Sequence, residues 1–239
     1  MSDVTPASMS DSLRADSAGI WDSLHAHPFL RKLSDGTLPL DRFRFFIEQD
    51  DFYLEEYARC LGMGAARSRN DVELAYFTND LLAVIQAELP SNRALLAQVI
   101  EMGAEDRGGG AMPAPANVAY TSYMQAVAAR GGALEIMALL LPCAWSYVDI
   151  AVGLGPAPTT NEVYAGWVSF FASREVVEMV TGMRGDFDRS CRDAALDQSR
   201  RAELSRIFAT SCRLELGFWE MAYRLERWPD LGAAEPQPV

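Results

Sequence analysis

Residues 43–61 read FRFFIEQDDFYLEEYARCL. Phe43, Phe46, Ile47, Tyr53, Leu54, Tyr57, Ala58 and Leu61 recur mostly at steps of three and four, the period that lays an apolar stripe along one face of an α-helix. Upstream, Gly36-Thr37-Leu38-Pro39 reads as a turn, and Asp41 is placed to cap the helix that follows. Outward from this segment the pattern stays helical nearly throughout. Further helices are predicted over about 71–88, 92–102, 117–129, 134–152, 162–171, 173–188 and 198–227. Pro90, the Gly- and Pro-rich stretch 107–116, Gly131-Gly132, Gly153 with Gly155, and Thr159-Thr160-Asn161 separate them. No segment alternates between hairpin turns, so no sheet is predicted. The expected fold class is all-α, one helical bundle over residues 13–229, with a disordered stretch at 1–12 and a frayed tail at 230–239.

Composition excludes several classes of function. The chain has 239 residues, 49% hydrophobic and 23% charged, enough to bury a core without staples. Lys and Arg number 21 against 33 Asp and Glu, and the net charge of −12 repels both nucleic-acid phosphates and an anionic membrane surface. The four cysteines, Cys60, Cys143, Cys191 and Cys212, form no CxxC and read as reduced thiols. The two histidines, His25 and His27, precede Pro28 at a helix end, where cap and dipole roles are usual. No ExxH spacing supplies a di-iron ligand set, so neither metal nor cofactor is expected. The N-terminus shows no basic region followed by an apolar one. The longest apolar stretch, 136–145, is interrupted by Pro142 and is too short to span a bilayer. The expected location is the cytoplasm.

In a helical bundle, a site is sought where polar groups fall on apolar faces. Four places qualify. Asp50 shares a face with Tyr53 of the apolar stripe, although Asp51, Glu55 and Glu56 make a solvated acidic face the plainer reading. Cys143 follows Pro142 inside a helical run and shares a face with Tyr147; a buried inert thiol is the alternative. Glu215 stands among apolar residues, one turn before Phe218 and Trp219, where a carboxyl would have a raised pKa; a surface pair with Arg213 is the alternative. Tyr120 and Tyr123 are either pocket or core tyrosines. A thiol, two carboxyls and several tyrosines suit covalent catalysis on a flat ring, but spacing alone does not bring the segments together.

Taken in order, these strings resemble a known family. His27-Pro28-Phe29, Asp35-Gly36-Thr37-Leu38-Pro39, Phe43 and Gln49-Asp50-x-x-Tyr53-Leu54 are similar to the TenA family, also called thiaminase II. So are Ala119-Tyr120-Thr121, Glu135-Ile136, Leu140-Leu141-Pro142-Cys143-x-Trp145-x-Tyr147 and Glu215-x-x-Phe218-Trp219-x-Met221-Ala222-Tyr223. The resemblance covers about residues 14–228. It implies a haem-oxygenase-like helical fold without haem, a homo-oligomer (commonly a tetramer) and a small pyrimidine substrate. The implied reaction converts 4-amino-5-aminomethyl-2-methylpyrimidine to the hydroxymethyl pyrimidine and ammonia in thiamin salvage, with cleavage of thiamin itself as a further activity. It also implies roles. Cys143 matches the nucleophile, Glu215 the proton-moving carboxyl, and Asp50 the carboxylate that binds the aminopyrimidine edge. Tyr53, Tyr120 and Tyr147 match pocket tyrosines, and Phe218 an aromatic wall. Phe171 stands where the family has a pocket tyrosine, and Asn92 where it commonly has a histidine. The competing expectations are a non-catalytic pyrimidine binder or regulator, a relative with an altered substrate, and a relative in quinone-cofactor synthesis or metal-dependent oxygenation.

Overall fold

The computed structural model describes residues 8–110, 112–155 and 159–229. Among them are eleven α-helices and no strand: α1 (Met9–Asp16), α2 (Ala18–His25), α3 (Pro28–Asp35), α4 (Leu40–Ala66), α5 (Asp71–Ala83), α6 (Leu89–Glu101), α7 (Pro115–Arg130), α8 (Ala133–Leu154), α9 (Glu162–Phe171), α10 (Arg174–Asp193) and α11 (Gln198–Arg224). Local chemistry sets most starts. Asn70, Asn161, Ser173 and Asp197 each accept a first-turn N–H of α5, α9, α10 and α11. His27 Nδ1 accepts from Phe29 N–H at the start of α3, where Pro28 needs no partner. Gly36, with φ +79°, ends α3 in the left-handed region that favours glycine.

Helix α8 is the central rod. Its residues Ala133–Pro142 are all buried, and it packs against α4, α7, α9, α10 and α11. By length and composition it could cross a membrane, but 72% of its most apolar stretch is buried by those neighbours. The continuous run therefore exceeds the segment 136–145 expected from sequence, because Pro142 lies within the helix rather than ending it. Helices α4, α7, α8 and α11 touch one another pairwise and enclose the space where the polar groups meet. An aromatic column fixes their spacing: Phe46 of α4 stacks on Trp219 of α11 at 5.0 Å, and Phe29 of α3 packs on both.

Four details differ from the sequence reading. Residues 9–12, expected to be disordered, belong to α1, whose Ser10 donates from backbone and hydroxyl to the buried Asp188 of α10. Residues 1–7 and 230–239 lie outside the described residues. Helix α4 starts at Leu40 after Pro39, so Asp41 occupies the first turn, where its charge still favours the helix dipole. Pro90 does not separate two helices. Helix α5 passes through a π-helical turn, Val84–Glu88, directly into α6. The wider turn makes room for Pro90, whose ring and missing N–H are accommodated in an α-helix interior only at a cost. Asn92, expected at the start of a separate helix, is therefore an interior residue of that rod. At the other end, α11 stops at Arg224 because Leu225 turns left-handed, with φ 55°.

Candidate active site

The packed helices contribute polar groups and aromatic walls from otherwise apolar faces. Helix α4 supplies Asp50 and Tyr53, α7 Tyr120, α8 Cys143 and Tyr147, α9 Phe171, and α11 Ser211, Glu215 and Phe218. Asp50, Tyr53, Tyr120, Tyr147, Phe171, Glu215 and Phe218 are buried, and Cys143 is half-buried. All eight residues singled out from the sequence gather around one region.

A hydrogen-bonded relay links them. Tyr53 Oη donates to Tyr120 Oη at 3.4 Å, and Tyr120 Oη donates to Glu215 Oε1 at 2.5 Å. Ser211 Oγ lies 3.0 Å from Tyr120 Oη and gives its own proton to the Leu139 carbonyl at 2.7 Å. The Tyr120 proton is thereby left for Glu215. The Cys143 thiol neighbours this relay, coupled electrostatically to Glu215 and to Tyr53. Tyr53 packs on Tyr120 at 5.0 Å and on Phe218 at 5.7 Å, while Tyr147 packs on Phe171 at 5.0 Å and on Trp219 at 5.1 Å.

Burial dominates the electrostatics. It pushes the Glu215 carboxyl up to about 7, against the hydrogen bond from Tyr120, which favours the charged form. It pushes Asp50 up to about 7 as well, against the hydrogen bond from Asn92 Nδ2 to Oδ2 at 2.6 Å. The Cys143 thiol is raised well above its usual range, first by burial and then by Glu215 and Glu88. It is a neutral thiol at rest and requires a base to become a nucleophile. A carboxyl titrating near 7 suits that task at neutral pH.

Gln49, beside Asp50, anchors the segment between α6 and α7. Its Nε2 donates to the Gly109 and Met112 carbonyls, and its Oε1 accepts from Ala114 N–H and Asn117 Nδ2. Thus the helical turn that carries Asp50 is tied to the neighbouring loop and to α7. The histidines serve structure. His25 bonds Asp149, and His27 bonds Glu220 while capping α3.

A cavity of about 60 Å³ opens beside Cys143, lined by Tyr147 and Phe171, by Tyr57, Asp80 and Glu88, and by apolar side chains of α10. No expectation from the sequence attaches to Asp80 or Glu88 as site residues. Their signal was spacing: residues 80, 84 and 88 fall at steps of four, and Val84 between them is buried. Asn92, marked by the resemblance as standing where a histidine is common, holds Asp50, while Ser211 carried no signal as one serine among several. A larger cavity, of about 660 Å³, surrounds the N-terminus of α8 at Arg67, Arg130 and Arg200. It contains no thiol, and its buried carboxylate Glu135 is already paired with Arg200 at 2.6 Å and accepts from Gly132 N–H. The smaller cavity is the one that borders the thiol singled out from the sequence.

Comparison with known proteins agrees with this placement of the helices. A family profile described as the TENA/THI-4/PQQC family matches residues 14–225. The aminopyrimidine aminohydrolase of Halalkalibacterium halodurans is 34% identical over 223 residues, covering 92% of this chain and 98% of that one. The solved TenA homologue from P. horikoshii OT3 superposes with a TM-score of 0.79 at 31% identity, covering 91% of this chain and 99% of that one. A domain with a heme oxygenase-like fold from Shewanella denitrificans superposes with a TM-score of 0.69 at 13% identity, covering 96% and 98%, a likeness of fold alone.

Proposed function

The chain belongs to the TENA/THI-4/PQQC family, and on that premise we propose that Cys143, Glu215 and Asp50 carry its chemistry. The chain is an aminopyrimidine aminohydrolase of thiamin salvage, as its curated relatives are named. The substrate is 4-amino-5-aminomethyl-2-methylpyrimidine. In balanced form, the protonated amine and water give the hydroxymethyl pyrimidine and ammonium.

One observation carries the assignment of roles: the buried Glu215 carboxyl, held by the Tyr120 hydroxyl, is electrostatically coupled to the neutral Cys143 thiol. Glu215 takes the thiol proton as Sγ bonds to an electron-poor ring carbon. The carboxylic acid so formed returns a proton to the ring nitrogen that gains charge. The ring electrons then expel ammonia with the C–N bonding pair and leave an exocyclic methylene. Water adds to that methylene, the C–S bond breaks, and the thiol recovers its proton. Asp50 accepts from the exocyclic amino group through Oδ1, because Oδ2 already accepts from Asn92. Tyr53 and Phe218 wall one side of the ring, and Tyr147 and Phe171 the other.

The protein acts in the cytoplasm as a homo-oligomer, with the tetramer the expected form. Its four unpaired cysteines suit a reducing compartment. Leu74, Leu82 and Ile85 are 43%, 51% and 53% exposed and form a stripe along α5 and the π-turn, which a second copy would cover. Light scattering after size exclusion checks the assembly. The test of function is ammonia release from the aminomethyl pyrimidine, measured for the wild type and Glu215→Gln. Turnover in the wild type, with loss by orders of magnitude in the variant, is expected. An unimpaired Glu215→Gln enzyme would refute the proton-transfer role.

A further inference from the structure

Four carboxyl groups lie in or beside one enclosed space. Asp50 and Glu215 are engaged in the relay described above, whereas Asp80 and Glu88 have no part in it. Asp80 is 4% exposed, and its Oδ2 accepts from Tyr57 Oη at 2.8 Å. Its Oδ1 accepts no hydrogen bond among the described residues. Glu88, half-buried at the end of the π-turn, has neither a hydrogen bond nor an ion pair there. Both line the cavity that Cys143 borders, and neither Asp50 nor Glu215 does. No Lys, Arg or His lines it; the remaining wall is aromatic and aliphatic. Two carboxyls are thus held in an apolar chamber with no cation of the protein to balance them; burial pushes Asp80 up to about 6 and raises Glu88 well above its usual range, so both are drawn toward the neutral form until a cation enters.

The ligand class follows from the reaction. Ring recognition is provided on the Asp50 and Glu215 side of Cys143. The group that distinguishes substrate from product is the substituent on the methylene, an ammonium in the substrate and a neutral hydroxyl in the product. An alkylamine is largely protonated at neutral pH and carries three N–H donors with no acceptor. We propose that Asp80 and Glu88, with Tyr57 fixing Asp80, form the subsite that binds the departing amine of the substrate as its ammonium. Among the described residues no group of three or more His, Cys, Asp or Glu is arranged to hold a metal ion. Tyr57 uses its single proton on Oδ2, which leaves Oδ1 as the acceptor available to a ligand. The pair is a specificity device. It favours entry of the charged amine and offers no comparable hold on the neutral alcohol, which assists product departure.

This inference rests on the aminopyrimidine reading of the same site, and its test keeps the two apart. In a Cys143→Ser background, which prevents turnover, titration calorimetry measures two ligands with the same ring. One is the aminomethyl pyrimidine, the other its hydroxymethyl product. The proteins are the parent, Asp80→Asn, Glu88→Gln and the double variant. The amine should lose about 10- to 100-fold in affinity in the double variant, the range for a charge-assisted hydrogen bond, while the alcohol changes by less than about threefold. Retained alcohol binding also reports an intact pocket. Tyr57→Phe, which keeps both carboxyls, should give a smaller loss confined to the amine. Equal losses for both ligands, or none for either, would overturn the subsite. If the parent binds neither ligand, the aminopyrimidine reading itself fails and takes the subsite with it.

Discussion

Replacing Tyr120 by Phe removes one hydroxyl from the relay and leaves its shape almost intact. That hydroxyl donates to Glu215 at 2.5 Å in a buried site and favours the ionised carboxyl. A hydrogen bond to a charged group contributes about 1.5–3 kcal/mol, and 1.36 kcal/mol corresponds to one pKa unit. The Glu215 carboxyl, now near 7, should therefore rise by about one to two units. If the ionised form must accept the Cys143 proton, the acid limb of kcat/KM should move up by the same amount. At pH 7 the active fraction would fall from about half to roughly 1–10%, a loss of about 5- to 50-fold. Activity should recover toward pH 9. The assay is a pH–rate profile of ammonia release for both enzymes, with kcat/KM reporting the free enzyme. A loss of equal size at every pH, or a limb that stays in place, would show that Tyr120 does not tune Glu215.

Three other outcomes are expected. Cys143→Ser should lower single-turnover rates by orders of magnitude with little change in pyrimidine affinity, because a serine hydroxyl is almost never ionised at neutral pH; near wild-type turnover would end the covalent scheme. Asp50→Ala should weaken pyrimidine binding by about 1–3 kcal/mol, roughly 5- to 150-fold, as read from dissociation constants. Glu215→Gln should stabilise the fold in a pH-dependent way. The folded-state pKa of Glu215, about 7, lies above its ordinary 4.5, so its contribution is fully present below about 4.5 and is lost as pH rises through 7. Thermal melts should therefore show little difference between variant and wild type at pH 4.5, and a gain of up to about 3 kcal/mol for the variant at pH 8; a variant less stable at pH 8 would contradict the burial argument.

The helical class was legible because the apolar positions of the long helices recur at steps of three and four, and because Asn161, Ser173 and Gly36 punctuate the chain by local rules. Element ends were less legible. Pro90 signals a break in any sequence reading, yet a wider turn absorbs it, and only packing of the α5–α6 rod against α4 selects that option. Single-residue pattern also placed Asp50 and Glu215 on apolar faces, but could not bring α4, α7, α8 and α11 together; the family resemblance did that. Asp80 and Glu88 stayed out of sight for another reason. Each sits in a segment with many exposed neighbours, and a carboxylate there reads as ordinary surface. Their burial is created by α8, α9 and α10, whose residues are far away in the chain.

The grip of Gln49 on the segment before α7 bears on how this protein tolerates change. Exposed, Gly-rich connections are where insertions and epitope tags are usually placed with impunity. Here the stretch from Gly109 to Ala114 is different, since three of its backbone groups are held by a side chain next to Asp50. Gly109 also lies so close to Phe45 and Glu48 that a Cβ would collide with both. Lengthening this stretch would pull on the turn of α4 that presents Asp50, and the damage would surface as poorer pyrimidine affinity rather than as a lower melting point. An insertion a few residues earlier, at Gly103, has open space around it, and the ties that follow it run to Arg44 and Asp41 near the start of α4 rather than to the residue beside Asp50. Library designers and lineage comparisons should thus find length variation crowded onto the first half of the connection and absent from the second.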